Sequence, residues 1–318
     1  MPQDNISPRE EILASFSRLR DWLRYAVSRF NAAELAYGHG TTNAFDEAAF
    51  LVLEGLHLPI DRLEPFLEAR LTERERARLL ELIERRVGER KPAAYLLNRA
   101  YIQGTGFYID ERAIVPRSFI GELLFSGLVG EGGLLDRPDE VAHVLDLCTG
   151  SGSLAILAAR VFPNALIDAV DVSPDALEVA RRNVAEHALA NRIALHQGDL
   201  FELLGARRYD VIVANPPYVD AEALSAFPPE FAAEPRLAHD GGADGLALVR
   251  MILRQAGAHL TAAGALICEV GRGRARVEAA FPNVAMLWLD TEESAGEVLF
   301  AWARDLPGAG PARKRRPK

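Results

Sequence analysis

Between residues 141 and 303, short apolar runs alternate with amphipathic stretches, and this alternation restricts the fold more than any other feature of the chain. The apolar runs fall at 141–147, 165–172, 192–197, 210–214 and 265–270. Helical spacing fills 153–162, 174–188 and 246–259, the second opened by Ser173 as a cap with Pro174 in the first helical position. Strands separated by helices lie parallel in one sheet, with helices on both faces. Two more runs, 284–289 and 298–303, follow one another closely after a short helix around Val277 and predict an antiparallel pair at one edge. The expected fold is α/β, with a mostly parallel seven-stranded sheet.

The chain upstream has a different period. Ile12, Leu13, Phe16, Leu19, Leu23, Ala26, Val27 and Phe30 mark one apolar helical face. Thr72 and Glu75 form a capping box ahead of Leu79, Leu80, Leu82, Ile83 and Val87, and Pro92 is expected to close that helix. Tyr101-Ile102 and Phe107-Tyr108-Ile109 flank Gly104 and Gly106, the pattern of a β-hairpin. A strand-like pair, Ile114-Val115, precedes a helix over 119–129 and a loop over 130–138. We therefore expect a helical domain over 1–95 that recognises a substrate and a hairpin with connecting helix over 96–138. A catalytic sheet domain over 139–306 and a basic, disordered tail over 307–318 complete the chain. The tail run Arg313-Lys314-Arg315-Arg316 reads either as a contact for RNA or as a solvated end.

Several classes drop out. With 36 basic and 45 acidic residues the net charge is −9, which opposes a broad grip on nucleic acid. No apolar run reaches the ~18 residues of a membrane span, and the N-terminal stretch lacks a signal-peptide core. Two cysteines, Cys148 and Cys268, sit in apolar runs and read as unpaired buried thiols of a reducing cytoplasm. The scattered histidines offer no metal site.

Chemistry concentrates at two strand ends. Asp146-Leu147-Cys148-Thr149-Gly150-Ser151-Gly152 joins the first sheet strand to its helix, and its glycines let backbone approach a ligand. Gly150, Gly152 and Ala155 also satisfy a nicotinamide fingerprint. Asp171, ending the second strand, suits a ribose diol in either NAD or S-adenosylmethionine. Asp146 suits the cationic methionine end, and Asp199-Leu200 suit the amine and ring of adenine, which favours S-adenosylmethionine.

The second strand end decides between them. Asn215-Pro216-Pro217-Tyr218 follows the run 210–214. A planar nitrogen must lose conjugation before its lone pair attacks a methyl group. The Asn215 side-chain oxygen and the Pro216 carbonyl can accept its two protons and aim the lone pair. Pro217 stiffens the turn, and Tyr218 offers a ring to stack on the flat group.

With these motifs the chain resembles the protein-glutamine N5-methyltransferases, nearly throughout. Tyr37-Gly38-His39-Gly40-Thr41, Asn43, Asp46-Glu47-Ala48, Asp110-Glu111-Arg112, Val115-Pro116-Arg117-Ser118 and Gly121-Glu122-Leu123 resemble the branch acting on a large-subunit ribosomal protein, the third in the standard naming. The release-factor branch typically has a proline and an acidic-Thr-Glu run after the arginine; Ser118-Phe119-Ile120-Gly121 departs from it. The resemblance implies a class I, Rossmann-like, S-adenosylmethionine-dependent methyltransferase working in the cytoplasm without metal or membrane. Its substrate would be a ribosomal protein, free or in an assembling particle. Carried over by residue, Asp146, Thr149, Gly150, Ser151, Gly152, Asp171, Asp199, Leu200 and Asn215 would bind the cofactor. Asn215, Pro216, Pro217 and Tyr218 would hold the glutamine, and Phe107 and Arg117 would shape the entrance. Asp244-Gly245-Leu246 resembles a shared segment beside the site, and Leu237-Ala238-His239-Asp240 is more polar than the family's run there.

Release-factor glutamine methylation and adenine-N6 methylation are the alternatives, since the same motif suits adenine's planar amine. A nicotinamide oxidoreductase leaves the second motif unexplained. A non-catalytic assembly factor leaves the intact site unexplained.

Overall fold

The computed structural model describes residues 7–292 and 294–309. The basic run at 313–316 lies outside them. The chain forms two compact units, Met1–Arg99 with Pro228–Ala233, and Ala100–Phe227 with Glu234–Lys318.

The first unit contains α1 (Pro8–Ser15), α2 (Leu19–Ala32), α3 (Ala44–Gly55), α4 (Glu73–Glu89) and α5 (Ala93–Leu97). The apolar face from Ile12 to Phe30 crosses a break. The Asp21 carboxylate accepts from Ser17 N and Arg18 N at 3.1 and 2.9 Å, so a new helix starts at Leu19. The expected box caps α4, with Thr72 N donating to the Glu75 carboxylate at 2.7 Å. Arg90, in the left-handed region, ends α4, and Pro92 instead opens α5. Trp22, Phe30, Leu51, Leu79 and Leu80 are fully buried. This core also holds charge. Arg86 is fully buried, bonded to Glu47 and 3.7 Å from Glu230 of the inserted segment, and Arg90 reaches the same Glu230 oxygen at 2.8 Å. His39 is buried too, its ring 4.3 Å from that of Phe231.

The second unit opens with the hairpin β1 (Ala100–Ile102) and β2 (Thr105–Phe107), then α6 (Phe119–Phe125). Ile114-Val115 forms no strand, because Val115 N donates to the Glu234 carboxylate rather than to a neighbouring strand. Next come β3 (His143–Leu147), α7 (Ser153–Val161), β4 (Leu166–Asp171), α8 (Pro174–Glu186), β5 (Ile193–Gln197) and β6 (Tyr209–Ala214). Then follow α9 (Ala221–Ser225), α10 (Pro229–Ala232, counted with the first unit), α11 (Ala247–His259), β7 (Leu260–Glu269), α12 (Arg274–Ala280), β8 (Leu287–Leu289) and β9 (Val298–Trp302).

The seven strands lie in the order β5-β4-β3-β6-β7-β9-β8. β3 to β7 are parallel; β9 inserts between β7 and β8 and runs antiparallel to both. Alternate residues feed two cores. Val144, Val211, Val213 and Ile267 pack on the α7 side, while Leu145, Leu147, Ile212 and Leu266 pack on the α11 side. Burial on both faces is why these strands read as continuous apolar runs. Among the described residues, no helix is long and apolar enough to cross a membrane.

Candidate active site

Strand register assembles the site. Leu147 pairs with Val170 and Ala214, and Ala214 with Cys268. Asp171, Cys148, Asn215 and Glu269 therefore follow in one row along the carboxyl edge. The strand order reverses between β3 and β6, the point where doubly wound sheets bind ligands. A cavity of about 290 Å³ opens there, lined among others by Gly150, Asp171, Asp199, Leu200, Asn215 and Pro217. Cys148, expected as a buried strand thiol, is only half-buried and also lines it. Cys148 and Leu200 both hold left-handed φ, 57° and 45°. Such backbone costs energy and collects at binding sites.

The acids differ. Asp171 accepts from Gly150 N at 2.8 Å and Ser173 N at 2.9 Å, tying the glycine loop to the end of β4. Burial raises its pKa. Asp146 does not reach the cavity lining. It is fully buried, accepting from Thr149 Oγ1 at 2.5 Å and Ala155 N at 3.0 Å, and its other oxygen has no partner among the described residues. Thr149 and Ser151 are buried and do not line the cavity, and Asn183 Nδ2 donates to the Ser151 carbonyl at 2.9 Å.

Around the second motif the contacts are dense. Asn215 Nδ2 donates to the Arg117 carbonyl at 3.4 Å. Tyr218 OH donates to the Glu269 carboxylate at 2.9 Å. Gly271 has φ 51°, and a Cβ there would come 2.6 Å from the Tyr218 ring; one on Gly245 would come 2.4 Å from the Tyr218 carbonyl. Glycine is required at both positions by close approach. One sequence expectation needs correction. Phe107 lies in the core with no exposure, because β2 turns it inward beside Ile102 and Leu123, so it shapes no entrance. The Arg117 guanidinium is clamped by Glu234 through two bonds of 2.7 Å, so its carbonyl rather than its charge meets the motif. Leu237, Ala238 and Asp240 line the cavity, whereas His239 is buried 3.0 Å from Glu234.

Comparison with known proteins places the chain in a family. The methyltransferase small domain family matches residues 133–228. A ribosomal protein uL3 glutamine methyltransferase of Bradyrhizobium diazoefficiens is 61% identical over 291 residues, 91% of each chain. The chain belongs to that family. Proteins of the same name from Bordetella pertussis and Burkholderia pseudomallei are 57% and 52% identical, covering 91% and 92% of this chain and 96% of each relative.

In this methyltransferase two carboxylates beside the site are buried, Glu234 and Glu269, 4% and 1% exposed; the sequence carries no sign of the first, and the second reads equally as a solvated strand-end acid. Glu269 had a signal: it ends an apolar strand one residue beyond Cys268, the partner of Ala214. Glu234 had none, lying in a long loop.

Burial, outweighing their hydrogen bonds, holds Asp146 and Glu269 each at a pKa of about 7. In the unfolded chain such groups lose their protons near pH 4 (about 3.9–4.3). Between about pH 4.5 and 7 the native state thus binds more protons than the unfolded state, and stability falls as pH rises. Glu269→Gln removes one of these groups. Its melting temperature should fall less steeply than the wild type's across that window; parallel curves would show an ordinary Glu269 pKa.

Proposed function

We propose that this methyltransferase moves the methyl group of S-adenosylmethionine to the side-chain amide nitrogen of a glutamine in ribosomal protein uL3. One observation carries the chemistry. Asn215 lines the cavity and spends its Nδ2 on the Arg117 carbonyl, which leaves Oδ1 to accept an N–H from a planar nitrogen. The relatives' shared name supports the acceptor.

The residues fit the cofactor. The cavity joins two carboxylates, Asp171 and Asp199, with the apolar Leu200 and Leu248, as a ribose, an adenine amine and an adenine ring require. Asp146, fully buried outside the cavity lining, would act on the cofactor's cationic end only through the loop it holds by Thr149 and Ala155. When bound, the cofactor supplies a methyl group on a good leaving group, a sulfonium. Gly150 would bring the backbone of the first loop close and Gly152 lets that loop pack against Ala180, with Thr149 and Ser151 holding its shape. Asn215 and the Pro216 carbonyl hold the two amide protons, so the lone pair turns toward the methyl group. Pro217 stiffens that turn, and the Tyr218 ring would stack on the flat amide. The helical unit would recognise the ribosomal protein, and the reaction would take place in the cytoplasm.

The test is labelled-methyl transfer to three acceptors in parallel, uL3, a release factor and an adenine-containing duplex, with mass spectrometry of the product. Label on a uL3 glutamine is expected. Label on the release factor would keep the chemistry and overturn the acceptor. Label on adenine would overturn the amide reading.

A further inference from the structure

Glu269 gathers three donors from two distant parts of the chain. Its Oε1 accepts from Tyr218 OH at 2.9 Å. Its Oε2 accepts from Ser118 Oγ at 2.7 Å and from Phe119 N at 3.1 Å. Ser118 also caps α6, accepting from Ile120 N at 3.2 Å. The residue before Ser118 is Arg117, whose carbonyl fixes the Asn215 amide. One carboxylate thus reaches Tyr218 directly and Asn215 through a single step of backbone, and these are the two ends of Asn-Pro-Pro-Tyr.

We infer that Glu269 is a positioning residue for methyl transfer: it sets the tyrosine of the motif and, through Ser118 and Arg117, the orientation of the Asn215 amide. The inference rests on the amide-methylation reading above. Geometry supports it on both sides. Tyr218 has little freedom to move, with Gly271 against its ring and Gly241 and Gly245 against its backbone, so its hydroxyl has one fixed destination. The strip 115–118 is pinned from its other side by Glu234, which takes Val115 N and the Arg117 guanidinium. Glu269 holds the strip where it meets the motif. Were the strip to shift, the Arg117 carbonyl would leave Asn215, whose amide could then turn its NH₂ toward the substrate. Two donors would then face each other.

A double-variant cycle tests this with uL3 as acceptor. Glu269→Gln keeps the side chain's shape but loses the charge that its three donors share; its NH₂ group must face Tyr218, whose hydroxyl then accepts instead of donating, so the links become weaker neutral ones and the first is reversed. Tyr218→Phe breaks the first alone. We expect Glu269→Gln to lower kcat about 10- to 100-fold, the scale on which small misplacements act. The Kd for S-adenosylmethionine should stay within about twofold, because Glu269 does not line the cavity. The double variant should be no slower than the slower single variant, since both substitutions disturb one unit. A wild-type kcat in Glu269→Gln would overturn the inference. So would losses that multiply in the double variant, or a matching loss of cofactor affinity, the mark of general collapse. A wild-type enzyme that labels no glutamine would overturn the reaction and this inference with it. An active wild type with an unaffected Glu269→Gln variant would overturn the inference alone.

Discussion

Asn215→Ala should lower turnover by roughly 10²–10³-fold, the usual cost of removing one preorganised polar contact from a reacting group. The substitution removes the Oδ1 acceptor and leaves Asp171, Asp199 and Leu200 along the cavity unchanged. The Kd for S-adenosylmethionine should therefore change by less than about threefold. Single-turnover kinetics with calorimetric titration of the cofactor separate the two quantities. If affinity and turnover fell by the same factor, Asn215 would be a cofactor ligand and not an amide holder. Asn215→Asp sharpens the comparison. It keeps an acceptor but turns an oxygen toward the Arg117 carbonyl, where the native group donates. Its turnover should be as poor as that of the alanine variant although a carboxylate accepts hydrogen bonds well.

Asp171→Ala should act on the other quantity. Its carboxylate faces the cavity and holds Gly150 N and Ser173 N. Hydrogen bonds to a charged group contribute about 1.5–3 kcal/mol, so the cofactor Kd should rise by roughly 10- to 150-fold. Saturating cofactor should restore most of kcat, because the Asn215 side is untouched. An unchanged Kd in calorimetry would contradict the ribose role of Asp171.

The catalytic sheet was legible because its strands are buried on both faces. Short apolar runs such as 210–214, bounded by turn residues, fit strands covered on both faces. Even the antiparallel edge showed, in the short connection between the last two runs. The helical part was less legible at its joints. The break at 16–18 is held by the Asp21 side chain, which accepts from two backbone N–H groups, and by backbone bonds to residues 67–71, and apolar spacing carries no trace of either. That Asn215, Asp171 and Asp199 line one cavity is legible because each sits at the end of an apolar run. Phe107 was misplaced because a hairpin strand of three residues does not reveal which face is covered. Arg117 was expected beside the site, but the atom that meets Asn215 is its carbonyl, and a carbonyl has no letter of its own. Glu234 and Glu269 act on residues more than a hundred positions away, and only the folded register brings those together.

The placing of Pro228–Ala233 with the N-terminal helices has a consequence for how the protein is born. Synthesis runs from the N-terminus, and units tend to fold as they emerge. α1 to α5 emerge first, but the buried Arg86 and its neighbour Arg90 meet Glu230 only after β3 to β6 have been made. The first unit to leave the ribosome is therefore the one that must wait, its charge balance incomplete until four of the seven sheet strands have been translated. A fragment ending at Arg99 would be a permanent version of that nascent state, lacking the segment that closes it.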